Sequence, residues 1–448
     1  MKNKTDRISK FLFGISILLL VYVPLHVFIA QSASLLTGGI EIWKAAKDVL
    51  IVILVPLLLF LSYKRGLFQN KTFRWLMILG GVYTILHALF VVFDGNDDTY
   101  SAIVGSVYNT RILGYLLLGY VVGSAKNGQK YLRYLLMATV LIASIVALFG
   151  VLQYFLPSDL LTHVGYSLER GVKPMFFIDD KPDLPRVMST LKDPNSLGAY
   201  LILPILLTGY AFFRKSVNKY LFVRSFRREV LGVMLAVQLS ALALTFSRGA
   251  LLGLLISIVT LLCIVKGQSA FIFLKKHLLL VVAILILLSS IIYLFRNTYV
   301  FQNLVFHADQ STVLADPNEL RVSLTQDAVD KIIQTPEGTG PGSAGIVSIN
   351  NPKGGVLTEN YYLQIAYEVG WLGLVLFLAI LSIIIYQLSN IAQKSPVNAI
   401  LLSSLAGYLF YSLLVHLWSN EAIALQWWLL TGAILGTALI NREKLSTN

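Results

Sequence analysis

The sequence predicts an all-α, polytopic membrane protein. Three observations carry that expectation: charge is scarce, the apolar runs have the length of a spanning helix, and basic residues gather on one side of the apolar segments. Of 448 residues, 56% are hydrophobic and only 13% charged, against roughly a quarter charged in a soluble globular chain. The mean hydropathy is +0.73. Backbone polar groups find no water in hydrocarbon, so a spanning segment must be a helix or belong to a closed barrel. The apolar runs last roughly 18–22 residues, the length a helix needs to cross a core of roughly 30 Å. The shorter alternating segments of a barrel are absent.

Hydropathy places about twelve spanning helices, near residues 11–30, 48–62, 75–93, 107–124, 132–155, 196–213, 230–246, 250–266, 277–295, 361–387, 397–416 and 422–440. The basic N-terminus followed by the apolar run Phe11–Ala30 superficially resembles a signal peptide, but the run is longer than a usual signal core and reads as an uncleaved first helix. With the N-terminus inside, the inner loops collect Lys64, Arg65, Lys71, Arg74, Lys126, Lys130, Arg133, the Arg214–Arg228 cluster, Lys275 and Lys276. That distribution follows the positive-inside rule, and an even helix count puts both termini in the cytoplasm. The net charge of +13 is therefore mostly a topology signal. Nucleic-acid binding would need a soluble basic face with interleaved aromatics, and no such face is present. The Arg214–Arg228 loop is placed to meet anionic lipid headgroups. The lone cysteine, Cys263, permits no internal disulfide, and no His/Cys/carboxylate cluster has metal-ligand spacing, so neither metal nor cofactor is expected.

Two outer segments exceed simple connections. Residues 156–195 interrupt a first block of nine helices covering 1–295, and residues 296–360 form a large loop before a final three-helix block, 361–448. Loops of this length are usually functional or disordered. In the second, Leu320, Leu324, Ala328 and Ile332 have helical spacing. A Pro/Gly-rich stop, Gln334-Thr335-Pro336-Glu337-Gly338-Thr339-Gly340-Pro341-Gly342, follows. The segment is expected to fold as a small cap whose helix packs onto the membrane helices.

Basic residues on the outer side run against the sorting rule. Arg248, in Ser247-Arg248-Gly249-Ala250 between two apolar runs, is either a snorkelling arginine at a tight turn or an anion site, since guanidinium presents a planar fork of donors. Arg186 precedes the sixth helix, whose start at Asp193-Pro194-Asn195 offers Asn195 as a cap. It reads as a solvated loop charge or a second anion contact. Arg321 opens the helix of the large loop with the same two readings. In Glu359-Asn360-Tyr361-Tyr362, Glu359 is either a helix-start carboxylate or a chemical group. Glu368 lies nine residues further along, about 13 Å deeper, where a carboxylate faces a polar interior or pairs with a neighbouring helix. Tyr361 and Tyr362 form either an interfacial belt or a sugar-stacking platform.

In order, these pieces resemble the O-antigen ligase / polysaccharide polymerase family of bacterial membrane glycosyltransferases. The matching segments are Arg186 through Asn195, Ser247 through Gly253, Arg321 through Ser343, Asn360 through Gln364, and Glu368 through Gly373. The resemblance implies a glycosyltransferase C-type fold in the plasma membrane, with a metal-independent site on the extracytoplasmic face. It implies a substrate carried on undecaprenyl pyrophosphate, with Arg186 and Arg248, and then Arg321, gripping the pyrophosphate; Tyr361 and Tyr362, read as the stacking platform, are the candidate acceptor-glycan contacts. A flippase and a chain-length regulator are the partners it suggests, besides membrane lipids. Ligases of this family have a histidine before the Asn-x-Tyr-Leu segment; this chain has Glu359 there, which points to the polymerase branch, with Glu359 as general base. Ligation of a finished glycan is the alternative, and lipid-linked oligosaccharide transport without chemistry a second one.

Overall fold

A computed structural model describes residues 2–93, 99–178, 181–213, 226–267, 317–350 and 355–446. The long helices are α1 (Lys2–Thr37), α2 (Ile40–Lys64), α3 (Lys71–Phe93), α4 (Thr99–Gly123), α5 (Gly128–Gln153), α6 (Pro194–Phe213), α7 (Arg228–Leu244), α8 (Arg248–Lys266), α9 (Pro317–Gln334), α10 (Tyr361–Ala392), α11 (Pro396–Tyr411) and α12 (Glu421–Ser446). Eleven of the twelve expected segments coincide with these helices; the one expected at 277–295 lies outside the described residues. Eight helices, α1, α2, α3, α5, α6, α8, α10 and α12, are long and apolar enough to cross a membrane. The protein is thus a helical, multi-pass membrane protein.

The three remaining expected spans fall short for physical reasons. Helix α4 carries Asn109 and Arg111 in its middle and is surrounded by protein, with both side chains buried. Helix α7 has 17 residues. Helix α11 stops at Tyr411 after 16 residues, so the span expected at 397–416 is too long. Beyond it the chain turns through a short 3₁₀ segment, Leu417–Ser419.

Lipid tails are as apolar as leucine, so helices here associate through close packing and internal polar contacts. The tightest pair is α4 with α12. Gly119 and Gly123 meet the backbone of Leu429 and Ala433, while Gly432 and Gly436 meet that of Leu116 and Tyr120, leaving no room for a Cβ at any of the four. This four-residue glycine spacing on both helices brings Arg111 of α4 beside Glu421 at the start of α12.

The all-α expectation needs one correction. The 156–195 segment contains a two-stranded antiparallel ribbon, β1 (Phe176–Ile178) paired with β2 (Lys181–Arg186), in which Phe176 opposes Arg186. Pro182 and Pro185 cannot donate to a ladder, which keeps such a strand at an edge. The helix expected at 320–333 is present as α9, with Ala328 and Ile332 buried. Ile332 packs with Ala344, Ala366 and Tyr367 against α10.

From the charge distribution, reporter fusions at Asn218 and Asn448 are expected to report the cytoplasm and one at Asn350 the outside. An external signal from the C-terminal fusion would contradict this orientation.

Candidate functional site

The outer loop between α5 and α6 is tied to the turn between α7 and α8. Val187 N–H donates to the Leu244 carbonyl (3.1 Å), and Arg186 Nε donates to the Thr245 carbonyl (2.9 Å). Arg186 Nη2 reaches Asn195 Oδ1 (3.2 Å). Arg248, three residues past Thr245, is exposed at the first position of α8, where Ser247 caps the helix. The structure therefore brings Arg186 and the Arg248 segment together, although they are far apart in sequence. The turn's unusual backbone is at Phe246 (φ 51°). Gly249 serves a different need: a Cβ there would strike the Tyr411 ring, whose hydroxyl lies 2.9 Å from Ser247 Oγ.

Beside this junction is a cavity of about 410 Å³ lined by Lys173, Lys192, Asp193, Asn195, Ser196, Glu359, His416 and Asn420, with apolar side chains such as Val172, Leu357 and Ile423 completing its walls. Glu359 sits half-buried with a left-handed backbone (φ 43°), an uncommon conformation for a residue with a Cβ. It does not cap α10: Asn360 does, its Oδ1 accepting from Tyr362 N–H (2.9 Å) and Leu363 N–H (3.2 Å). The cap of α6 likewise differs from expectation. Asp193, followed by Pro194 at the favoured first helical position, accepts from Ser196 N–H (2.7 Å) and Ser196 Oγ (2.8 Å), which frees Asn195 to face the cavity and Arg186. His416 lies within hydrogen-bond distance of Thr358 Oγ1 (3.3 Å). Burial, and then the charge of Lys192, pushes its pKa down to about 3, so the imidazole is neutral.

Neither tyrosine lines the cavity. Tyr361 is fully buried, edge-on to Phe377 at 5.4 Å. Tyr362 is half-buried, and its hydroxyl donates to the Leu409 carbonyl (3.0 Å). Both belong to the packing of α10. Arg321 lies on α9; its side chain is outside the described residues.

Two buried polar networks support the cavity. In the first, Arg111 donates to the Ser419 carbonyl (2.5 Å), pairs with Asp48 (3.2 Å) and Glu421 (3.4 Å), and stacks over Tyr108 (4.1 Å). Lys47 pairs with Asp48 (3.1 Å), and His26 with Glu421 (3.0 Å). These contacts draw α1, α2, α4 and α12 together and fix the 416–420 turn, which supplies His416, Leu417 and Asn420 to the cavity wall. Sequence reasoning missed this network. Its signal was present as Lys47-Asp48 and Arg111 inside apolar segments, where ionisable residues are costly and need partners.

In the second network, Glu368 is fully buried. It accepts from Asn109 Nδ2 (2.6 Å), Gly342 N–H (3.0 Å) and Ala344 N–H (3.4 Å), and Asn109 also lies 3.2 Å from His87 Nε2. The pairing of Glu368 with a neighbouring helix is one of the two readings its depth allowed. Helix α10 breaks beside it at Val369 and Gly370, which lets Gly340 N–H and Trp371 N–H join the glycine-rich turn to α10 (2.9 Å to Glu368 O and 3.1 Å to Pro336 O). Gly342 has φ 79°, and a Cβ there would strike the Ser101 carbonyl. Gly342→Ala is expected to cost about 1–3 kcal/mol in backbone strain alone, seen as faster proteolysis within 317–350 while the other helices persist. Unchanged proteolysis would contradict this docking.

No curated protein matches the chain. A family model described as O-antigen ligase does, over residues 233–378, a stretch that contains the Arg248 turn, α9, the glycine-rich turn, Glu359 and Glu368. That match covers about a third of the sequence and makes this stretch of the membrane protein similar to the O-antigen ligase family.

Proposed function

We propose that the protein polymerises undecaprenyl-pyrophosphate-linked oligosaccharide repeat units into a cell-surface polysaccharide, at the extracytoplasmic face of a bacterial plasma membrane. The family match supports glycan transfer at the coarser level. The observation that carries the finer reading is the junction itself: Arg186 reaches the turn that bears Arg248 and shares Asn195 with the cavity that Glu359 lines.

In this reaction an acceptor hydroxyl oxygen attacks the anomeric carbon of the donor. The bond from that carbon to the diphosphate oxygen breaks, its electron pair leaves with undecaprenyl diphosphate, and the hydroxyl proton passes to a base. The leaving group is already good, so the protein's task is to stabilise growing charge on the diphosphate and to orient the hydroxyl. Arg186 and Arg248 are assigned the first task, with Arg321 as a third contact. Glu359, with an oxygen acceptor in the cavity, is assigned the proton.

His416 favours a second reading. A neutral imidazole next to Thr358 stands beside Glu359, close to where the resemblance places the acceptor-activating histidine of ligases. Incubating purified protein with lipid-linked repeat units separates the readings. Polymerisation gives a ladder of longer chains without another acceptor. Ligation gives product only when a second glycan acceptor is supplied. Recovery of unchanged repeat units in both cases would overturn the proposal.

A further inference from the structure

Lys192 is the residue of the cavity that the arginine-centred reading leaves unused. It immediately precedes the capped start of α6: Leu191 on one side is buried, Asp193 on the other caps the helix, and the lysine side chain is left to line the cavity, half-buried. No acidic side chain forms an ion pair with it among the described residues. Each oxygen of the adjacent Asp193 accepts a hydrogen bond from Ser196. Burial, and then the charge of Lys192, keeps the neighbouring His416 neutral. Lys173, beside the ribbon, lines the same cavity and touches only the Phe176 ring (5.7 Å) among its described polar and ring contacts.

Holding an ammonium partly out of water with no acceptor among the described residues is costly, and the cost is recovered when an anion enters. Lysine offers a compact charge with three rotatable donors, suited to phosphoryl or carboxylate oxygens. The same cavity presents Glu359, an acceptor suited to a hydroxyl. A ligand that is anionic at one end and hydroxylated at the other matches this pairing of charges.

We propose that Lys192, assisted by Lys173, forms an anion subsite inside the cavity that holds an anionic group of a glycan substrate, either the diphosphate of the lipid carrier or a carboxylate on the sugar. This rests on the glycosyl-transfer reading for the ligand's identity, and the test separates the two.

Wild-type protein and the Lys192→Met and Lys192→Arg variants are compared in nanodiscs. The readouts are donor KM, inhibition by inorganic pyrophosphate, and the shift in melting temperature that pyrophosphate produces. Lys192→Met is expected to raise the donor KM by about tenfold or more, the scale of a lost charge-assisted hydrogen bond, and Lys192→Arg to restore most of it. A parallel loss of pyrophosphate inhibition and of the melting shift assigns the diphosphate. A KM effect confined to repeat units bearing a carboxylate, with pyrophosphate inhibition unchanged, assigns the sugar. If no repeat unit is turned over by the wild type but pyrophosphate still raises its melting temperature in a Lys192-dependent way, the subsite stands and the glycosyl-transfer reading falls. Unchanged KM and unchanged pyrophosphate response in Lys192→Met would overturn the subsite.

Discussion

Arg111→Met is expected to destabilise the protein by about 3–5 kcal/mol, the cost of breaking a buried ion pair from one side. The substitution leaves Asp48 and Glu421 inside the bundle with Lys47 and His26 as their remaining side-chain partners among the described residues, and it removes the donor to the Ser419 carbonyl. Because that carbonyl belongs to the turn that walls the cavity, the defect reaches activity as well as stability. Arg111→Lys keeps the charge but lacks the second fork that serves Asp48 and Ser419 at once, so it recovers only part of either. Thermal unfolding in detergent, monitored by tryptophan fluorescence, reports on this region directly, since Trp418, Trp427 and Trp428 pack against one another within 5.4–5.6 Å. A melting curve for Arg111→Met that overlays the wild type would refute the bracing role.

Arg186→Lys and Arg248→Lys are each expected to lower glycan transfer by about ten- to a hundredfold, the scale of a lost hydrogen bond to an ion. The two should differ in stability. Arg186 uses its fork to join the α5–α6 loop to Thr245 and Asn195, so its lysine variant also loosens that junction and melts earlier. Arg248 is exposed, so its variant is expected to keep wild-type abundance and melting temperature. Initial rates with a lipid-linked donor, taken with the melting curves, distinguish the cases. Full activity in Arg248→Lys would remove that residue from the proposed chemistry.

The helices were legible because a spanning segment announces itself by length and apolarity, and every expected segment within the described residues is helical. The exceptions have causes that hydropathy does not register. Helix α11 ends at Tyr411 rather than near 416 because the following turn is held by Ser419 accepting from Arg111, a contact made across three hundred residues. The ribbon at 176–186 is short and proline-bearing, with none of the alternation that marks a strand. For the site, the segments were legible and the side-chain directions were not. Arg186, Arg248 and Glu359 come from the segments that meet, yet of the three only Glu359 lines the cavity, beside Lys192, Lys173 and His416, and Tyr361 and Tyr362 turn into the helix packing. Which face a residue at a helix start presents is set by the cap, and Asp193 and Asn360 took those positions. The family likeness could point to the neighbourhood because motifs follow chain order; it carried no signal for the Arg111 network, whose members lie on α1, α2, α4 and α12 outside those motifs.

The most direct test of glycosyl transfer by this cavity counts both products of one reaction. Purified protein in nanodiscs is given repeat units labelled in the sugar, and undecaprenyl diphosphate release is measured beside glycan lengthening. One carrier diphosphate is expected to be released for each sugar linkage formed, with both falling together in Arg248→Lys. Carrier-linked units recovered intact, or lengthening at the wild-type rate in Arg248→Lys, would contradict that expectation.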